Sequence, residues 1–125
     1  MTVLVDSWAW IEYFKGSDRA APIKNLLEDT DEDVIVSAVN ISEVYRWILS
    51  GYDEQTAMEM NEAIKKRSTV IDLNEEIAVE AARLKHKKKW GLGDSIVYAT
   101  AQKQKAKIMT GDSDFKGEDG VVFLG

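Results

Sequence analysis

The chain has 125 residues, a hydrophobic content of 45% and a formal net charge of −6. This length favours a single domain that buries roughly two-thirds of the surface exposed by the unfolded chain, and the composition argues against wholesale disorder. Cysteine is absent, which excludes disulfides, thiolate metal ligands and cysteine nucleophiles together.

No apolar run approaches the ~18 residues that a membrane span needs, and no basic segment precedes an apolar one at the N-terminus. We therefore expect a soluble, cytoplasmic protein. Although the net charge is acidic, basic residues are concentrated in KKR at 65–67 and RLKHKKK at 83–89. The simplest interpretation of both runs is a solvated helix or loop face.

Strands and helices are predicted to alternate along the chain. The run at 3–5 (VLV) predicts a buried strand, and Ser7 can cap the helix WAWIEYF that follows it. Further helices are predicted over 21–28, 40–51, 53–67, 74–89 and 93–104, and further strands over 34–37, 69–73, 107–110 and 121–124. Because parallel strands are joined by right-handed helical crossovers, this order predicts a three-layer α/β sandwich.

Four acidic residues follow predicted strands or lie near the starts of predicted helices: Asp6, Glu43, Asp94 and Asp112. Each has an ordinary structural explanation as a turn, a helix cap or a helix-dipole carboxylate. In open parallel sheets, however, ligands bind outside the carboxyl ends of the strands, where these acids are expected to gather. At ~4 Å and an effective dielectric near 20, two such carboxylates repel by about 4 kcal/mol.

A divalent cation would relieve that repulsion. Magnesium prefers oxygen ligands and commonly pairs with phosphates, whereas zinc is disfavoured because the chain has no cysteine and only one histidine, His86 in the lysine run. The four acids are therefore expected to bind magnesium.

Four segments resemble, in order and spacing, the motif regions of PIN domains, most closely those of small prokaryotic VapC-type toxins. They are VLVDSWAWIEYF, SAVNISEVYR, GLGDSIVYATA and IMTGDSDF. The resemblance covers nearly the whole chain and implies a single PIN-like nuclease domain over residues 1–125. It also implies a five-stranded parallel sheet of order 3-2-1-4-5 and a ribonuclease that depends on magnesium or manganese.

Carried over by motif, the catalytic and metal-binding set falls on Asp6, Glu43, Asp94 and Asp112, and the residues that support the metal or its waters are Ser7, Thr110 and Asp114. Asp6 and Asp94 are expected to be the principal ligands, while Glu43 and Asp112 bind a second ion or orient the attacking water. The lysines that precede Asp94 could hold the RNA backbone; they are Lys85, Lys87, Lys88 and Lys89. The chain departs from the family in DSW, where Thr or Ser pairs are common, and in the second glycine of WGLGD.

The resemblance further implies a homodimer that a small antitoxin protein neutralises by wrapping the first helices. The aromatic residues of the first helix are explained either as core or as such an interface. Two other functions stay open: a phospho-acceptor or phosphatase domain, for which Asp72 after TVI is the relevant carboxylate, and a non-catalytic RNA-binding module with the same fold.

Overall fold

All 125 residues are described by a computed structural model, in which five parallel strands form one sheet of order β3-β2-β1-β4-β5. The strands are β1 (Thr2–Val5), β2 (Asp33–Ser37), β3 (Thr69–Ile71), β4 (Lys107–Thr110) and β5 (Val121–Phe123). The helices are α1 (Ser7–Lys15), α2 (Ala21–Asp29), α3 (Ala38–Gly51), α4 (Glu54–Arg67), α5 (Glu75–Lys88) and α6 (Leu92–Lys103). The predicted fold class and strand order are confirmed.

The sheet is covered on both faces. Because successive residues of a strand point to opposite faces, Val3 and Val5 of β1 join a hydrophobic cluster with α1 to α4, whereas Leu4 joins a second cluster with α5 and α6. Burial on both faces explains why the central strands read as continuous aliphatic runs. None of the helices has the length and apolar character that a membrane crossing requires.

The strand order reverses between β1 and β4, the two strands at the centre of the sheet. Their register pairs Val5 with Met109, so Asp6 follows β1 close to the point where Gly111 and Asp112 follow β4. Crossover helices leave the sheet in opposite directions at such a switch point, which opens a crevice at the carboxyl ends of the strands. The fold thereby brings together residues that are about 100 positions apart in the sequence.

Arg67 ends α4 and does not belong to a solvated face, so the simplest interpretation of the KKR run is wrong for this residue. Its guanidinium is half-buried and donates hydrogen bonds of 2.7 to 3.2 Å to four backbone carbonyls, those of Leu26, Leu27, Thr30 and Glu32. A cation at the C-terminal end of α2 also interacts favourably with the helix dipole. Arg67 therefore fixes the connection from α2 to β2.

Arg67→Ala is expected to lower the free energy of unfolding by about 2–3 kcal/mol, because it removes the donor for four carbonyls that are partly shielded from water. Urea titration of the metal-free protein measures this loss. Lys66→Ala is the matched control, since Lys66 is exposed and its removal should change stability by less than about 0.5 kcal/mol. Equal effects of the two substitutions would contradict a structural role for Arg67.

Candidate metal centre

Asp6 directly follows β1 at the carboxyl end of the strand and is 3% exposed. It is the N-cap of α1, where its Oδ1 accepts a 3.0 Å hydrogen bond from the Ala9 N–H, so the prediction that Ser7 caps this helix is wrong. Burial raises the pKa of Asp6 to about 7; the charges of Asp112 and Glu43 act in the same direction, against hydrogen bonds from Thr110 and Ala9. No cation in the chain pairs with this buried carboxylate.

Thr110, the last residue of β4, and Asp112, two residues later, lie beside Asp6. The Thr110 hydroxyl is buried near the Asp6 carboxylate, whose pKa it lowers, and it accepts a 3.0 Å hydrogen bond from the Asp112 N–H. Asp112 in turn caps a short 3-10 helix, Ser113–Phe115, by accepting the Asp114 N–H at 3.0 Å. Thr110 is therefore the physical link between the carboxylates that follow the two central strands.

Asp94 approaches from the start of α6. The N-cap of α6 is Gly91, no side chain caps this helix, and Asp94 is its third residue, so helix capping does not explain Asp94. The pKa of Asp94 is raised to about 7, chiefly by burial, with hydrogen bonding to Asp114 and the charges of Asp112, Asp114 and Glu43 acting in the same direction. Asp94 is thus held among carboxylates without a compensating cation.

Glu43 enters from α3 and is oriented by two donors. Its Oε1 accepts hydrogen bonds from the Ser7 hydroxyl at 2.9 Å and from the Asn40 side-chain amide at 3.2 Å. A Cβ built on Gly93 would lie 3.3 Å from Glu43 Oε2, so the second glycine of WGLGD lets the start of α6 come close to Glu43. Ser7 acts on the site through Glu43.

Asn40 is a site residue that sequence reasoning did not assign. It is 1% exposed and completes a capping box with Ser37, while its amide also donates to Glu43. Its position three residues before Glu43 on the same helix face is the sequence signal that could have identified it.

The side-chain oxygens of Asp94, Asp112 and Asp114 offer one ligand atom each within 4.8 Å of one another. Asp114 was expected only to support the site, yet it lies in this group, whereas Asp6 and Glu43 border it through the charge interactions and contacts described above. The donors are all oxygen, and neither cysteine nor histidine takes part, which matches the ligand preference of Mg²⁺ or Mn²⁺. The residues present fit such an ion.

The lysine run lies at the end of α5, beside the start of α6. Lys85 donates to the Trp90 carbonyl at 3.1 Å, and Lys88 forms a 2.6 Å ion pair with Glu118. Lys87 and Lys89 are exposed and take part in no ion pair. Two of the four predicted RNA-contacting lysines therefore also have partners within the fold.

The parallel sheet with carboxylates at the ends of its central strands defines an open α/β domain, and residues 3–119 match the family model described as PIN domain. The chain belongs to the PIN domain family. No curated protein matches the sequence closely enough to add a relative.

Solved structures with the same fold include several toxin–antitoxin proteins. A toxin–antitoxin complex from Klebsiella pneumoniae is 28% identical, with 98% of each chain covered and a TM-score of 0.79. VapC20 of Mycobacterium tuberculosis, a toxin that cleaves the sarcin–ricin loop, is 17% identical over 94% of this chain and 95% of that one, with a TM-score of 0.78. DNA-bound VapBC from Salmonella typhimurium is 13% identical over 100% and 99% of the two chains, also with a TM-score of 0.78, and shares the fold.

Proposed function

We propose that this protein is a divalent-metal-dependent ribonuclease that hydrolyses RNA phosphodiester bonds. The observation that carries the proposal is the set of carboxylates at the centre of the sheet, none of which is neutralised by a lysine or arginine. Membership of the PIN domain family supports the same function. Residues 1–125 act as one nuclease domain in this proposal, because strands from both ends of the chain form the single sheet that carries the site.

Asp6 and Asp94 are the proposed principal ligands for Mg²⁺ or Mn²⁺, with Glu43 and Asp112 placed to bind a second ion or orient the attacking water. Asp114 supports this set beside Asp94, since a carboxylate oxygen of each lies within 4.8 Å of the other. The Ala9 N–H holds the Asp6 carboxylate, and Ser7 and Asn40 hold Glu43, so these donors limit the rotation of both acids. Thr110 lies beside Asp6 and supports it. When bound, the cation supplies a water of lowered pKa and charge neutralisation for the phosphate.

We further propose that the protein is the cytoplasmic toxin of a toxin–antitoxin pair, forms a homodimer and is neutralised by a small antitoxin protein. The similarity to the Klebsiella pneumoniae toxin–antitoxin complex over nearly the whole of both chains supports the pair. Apolar side chains on α1 support a partner, because Trp8, Ile11, Tyr13 and Phe14 are all only partly buried in the isolated chain.

A phosphatase built around Asp72 is not favoured by the position of that residue. Asp72 follows β3, which is the edge strand of the sheet, and β2 separates β3 from β1. At about 4.8 Å between neighbouring strands, the two strand ends are about 10 Å apart. Asp72 is also exposed to solvent and shares none of the contacts that link Asp6 to the other acids.

The function is tested by incubating single-stranded and structured RNAs with the protein in magnesium, in excess EDTA and after magnesium is restored. Cleavage should stop in EDTA and return with the metal, and Asp6→Asn protein purified in parallel should be inactive. The Asp6→Asn preparation controls for a contaminating nuclease. Undiminished cleavage in EDTA, or equal cleavage by the variant, would contradict the proposal. Metal-dependent RNA binding without cleavage would favour the non-catalytic module.

Replacing Lys87, Lys88 and Lys89 together by Ala is expected to weaken RNA binding and to flatten its salt dependence. Each lost phosphate contact on single-stranded RNA should reduce the slope of log K against log salt by about 0.7. Fluorescence anisotropy with the inactive Asp6→Asn protein as background measures this slope without cleavage.

The matched control replaces Lys65, Lys66 and Lys107. These lysines lie at the end of α4 and the start of β4, near the amino ends of the strands, whereas the carboxylates lie at the carboxyl ends. This control removes the same charge and should leave the slope unchanged. Equal slopes for the two triple variants would show that the lysine run is only a solvated face.

A further inference from the structure

The Trp8 indole lies directly on the backbone of Gly111, a contact that joins α1 to the loop after β4. A Cβ built on Gly111 would overlap the six-membered ring of Trp8, 2.5 Å from its Cε2 atom and closer still to Cζ2 and Cη2. Trp8 is partly buried and packs against the hydrophobic cluster on the α1 side of the sheet. The ring therefore has packing partners of its own that restrict where it can move.

Close approach is the reason that position 111 is a glycine, since its backbone does not require one. The positive-φ residues of the chain are Gly16, Lys89, Lys105, Gly117 and Gly120, and Gly111 is not among them. Alanine would therefore fit the local backbone conformation if the Trp8 ring were absent. This separates the effect of the contact from the ordinary effect of glycine on chain flexibility.

Gly111 lies between two residues of the carboxylate site. Thr110 follows Met109, whose carbonyl accepts the Asp6 N–H at 3.4 Å, and Asp112 belongs to the three-carboxylate group and caps the turn that presents Asp114. The Leu124 N–H donates to the Thr110 carbonyl at 2.7 Å, which fixes the start of the same loop from the β5 side. A displacement at Gly111 thus changes the distance between Asp6 and Asp112.

We infer that Trp8 is a positioning residue of the metal centre. Its ring fixes how closely the loop at Gly111 approaches α1, and the loop in turn fixes the position of Asp112 and Asp114 relative to Asp6. Trp8 touches neither metal nor substrate in this role. The inference rests on the proposed function, because it assigns Trp8 to the metal site of that function. Residues that orient metal ligands in this way commonly change affinity or activity by about 10- to 100-fold when they are altered.

The test is a double-mutant cycle with the variants Gly111→Ala, Trp8→Ala and the pair combined, each stripped of metal and titrated with Mn²⁺ by calorimetry. Gly111→Ala should bind Mn²⁺ about 10- to 100-fold more weakly than the wild type. In the Trp8→Ala background the same Gly111→Ala change should alter the affinity by less than about twofold, because the overlap has been removed. RNA cleavage by Gly111→Ala should show a lower kcat with KM for RNA little changed.

Gly51→Ala is the matched control, since a Cβ at Gly51 meets no atom within 4 Å and its φ is not positive. This variant should bind Mn²⁺ as the wild type does. Circular dichroism shows whether each variant is folded. If Gly111→Ala does not fold but the double variant does, the overlap with Trp8 is the cause, and Mn²⁺ binding by Trp8→Ala about 10- to 100-fold weaker than by the wild type then supports the positioning role, whereas equal binding overturns it.

Three outcomes would overturn the inference: Mn²⁺ binding by Gly111→Ala within twofold of the wild type, an equal loss from Gly111→Ala in both backgrounds, or failure of the double variant to fold. Failure of the proposed function looks different, because the wild type itself would then bind no Mn²⁺. Wild-type binding with an unaffected Gly111→Ala variant would remove the role of Trp8 and leave the metal site intact.

Discussion

Asp94→Asn is expected to melt at a higher temperature than the wild type in EDTA, to gain less stability from saturating magnesium and to lose RNA cleavage. The carboxylate lies among Asp112, Asp114 and Glu43 without a cation, so at about pH 8, above its pKa of about 7, removing its charge relieves repulsion in the metal-free protein. A ligand that binds only the folded state stabilises it, so losing a metal ligand reduces the stabilisation by magnesium. Opposite signs in EDTA and magnesium distinguish a metal ligand from a structural acid.

Asp94 makes no capping hydrogen bond, so the substitution removes no helix cap that could mask the gain in EDTA. Asp6→Asn gives a second copy of the test, because asparagine caps α1 about as well as aspartate. Asp72→Asn is the matched control at a strand end outside the site. Lower stability of Asp94→Asn in EDTA together with an unchanged magnesium increment would contradict the metal centre.

The metal-free protein is expected to lose stability as the pH rises from about 4 to about 7. The pKa of Asp6 is about 7 in the folded chain against an ordinary value of 3.8, so across this range the folded state holds a proton that the unfolded state has released. Unfolding free energy falls with pH wherever the folded state binds more protons, and three pH units correspond to a loss on the order of 4 kcal/mol. Asp94, with its pKa also raised to about 7, acts in the same direction.

Urea midpoints in EDTA at about pH 5 and about pH 8 measure this loss. Because the pKa values of Asp6 and Asp94 are raised in the folded state, the folded protein releases these protons mostly between the two pH values. The lowered pKa values of Glu12 and Asp53 affect stability mainly below this range, since their ordinary values are 4.5 and 3.8. Asp6→Asn should show a shallower dependence, and magnesium should remove most of it because the metal competes with the proton. Equal midpoints for the wild type at the two pH values would contradict the burial of a charged Asp6.

The α/β class could be predicted from aliphatic strand runs, and the strand order from the resemblance of four motif regions to PIN domains. The same local motifs carry the prediction that Asp6, Glu43, Asp94 and Asp112 form the site. The grouping of Asp114 with Asp94 could not, since it depends on how a short 3-10 helix turns its side chains toward α6. The predicted cap Ser7 failed by one residue, because Asp6 can serve as strand-end acid and helix cap at once.

Long-range contacts of single side chains could not be predicted from the sequence either. Arg67 lies in a basic run that is typical of an exposed helix end, yet its partners are carbonyls 35 to 41 residues away. Gly111 reads as an ordinary turn glycine, and only the three-dimensional position of Trp8 shows that the missing Cβ is required. Such contacts leave no periodic signal, because they depend on the packing of elements that are distant in the chain.

Calorimetric titration of the metal-free wild type with Mn²⁺, beside Asp6→Asn, Asp94→Asn and Asp72→Asn, tests most directly whether the strand-end carboxylates form a metal centre. Saturable binding by the wild type and by Asp72→Asn is expected, with binding lost or strongly weakened in Asp6→Asn and Asp94→Asn. The absence of saturable binding by the wild type, or equal binding by all four proteins, would contradict the account.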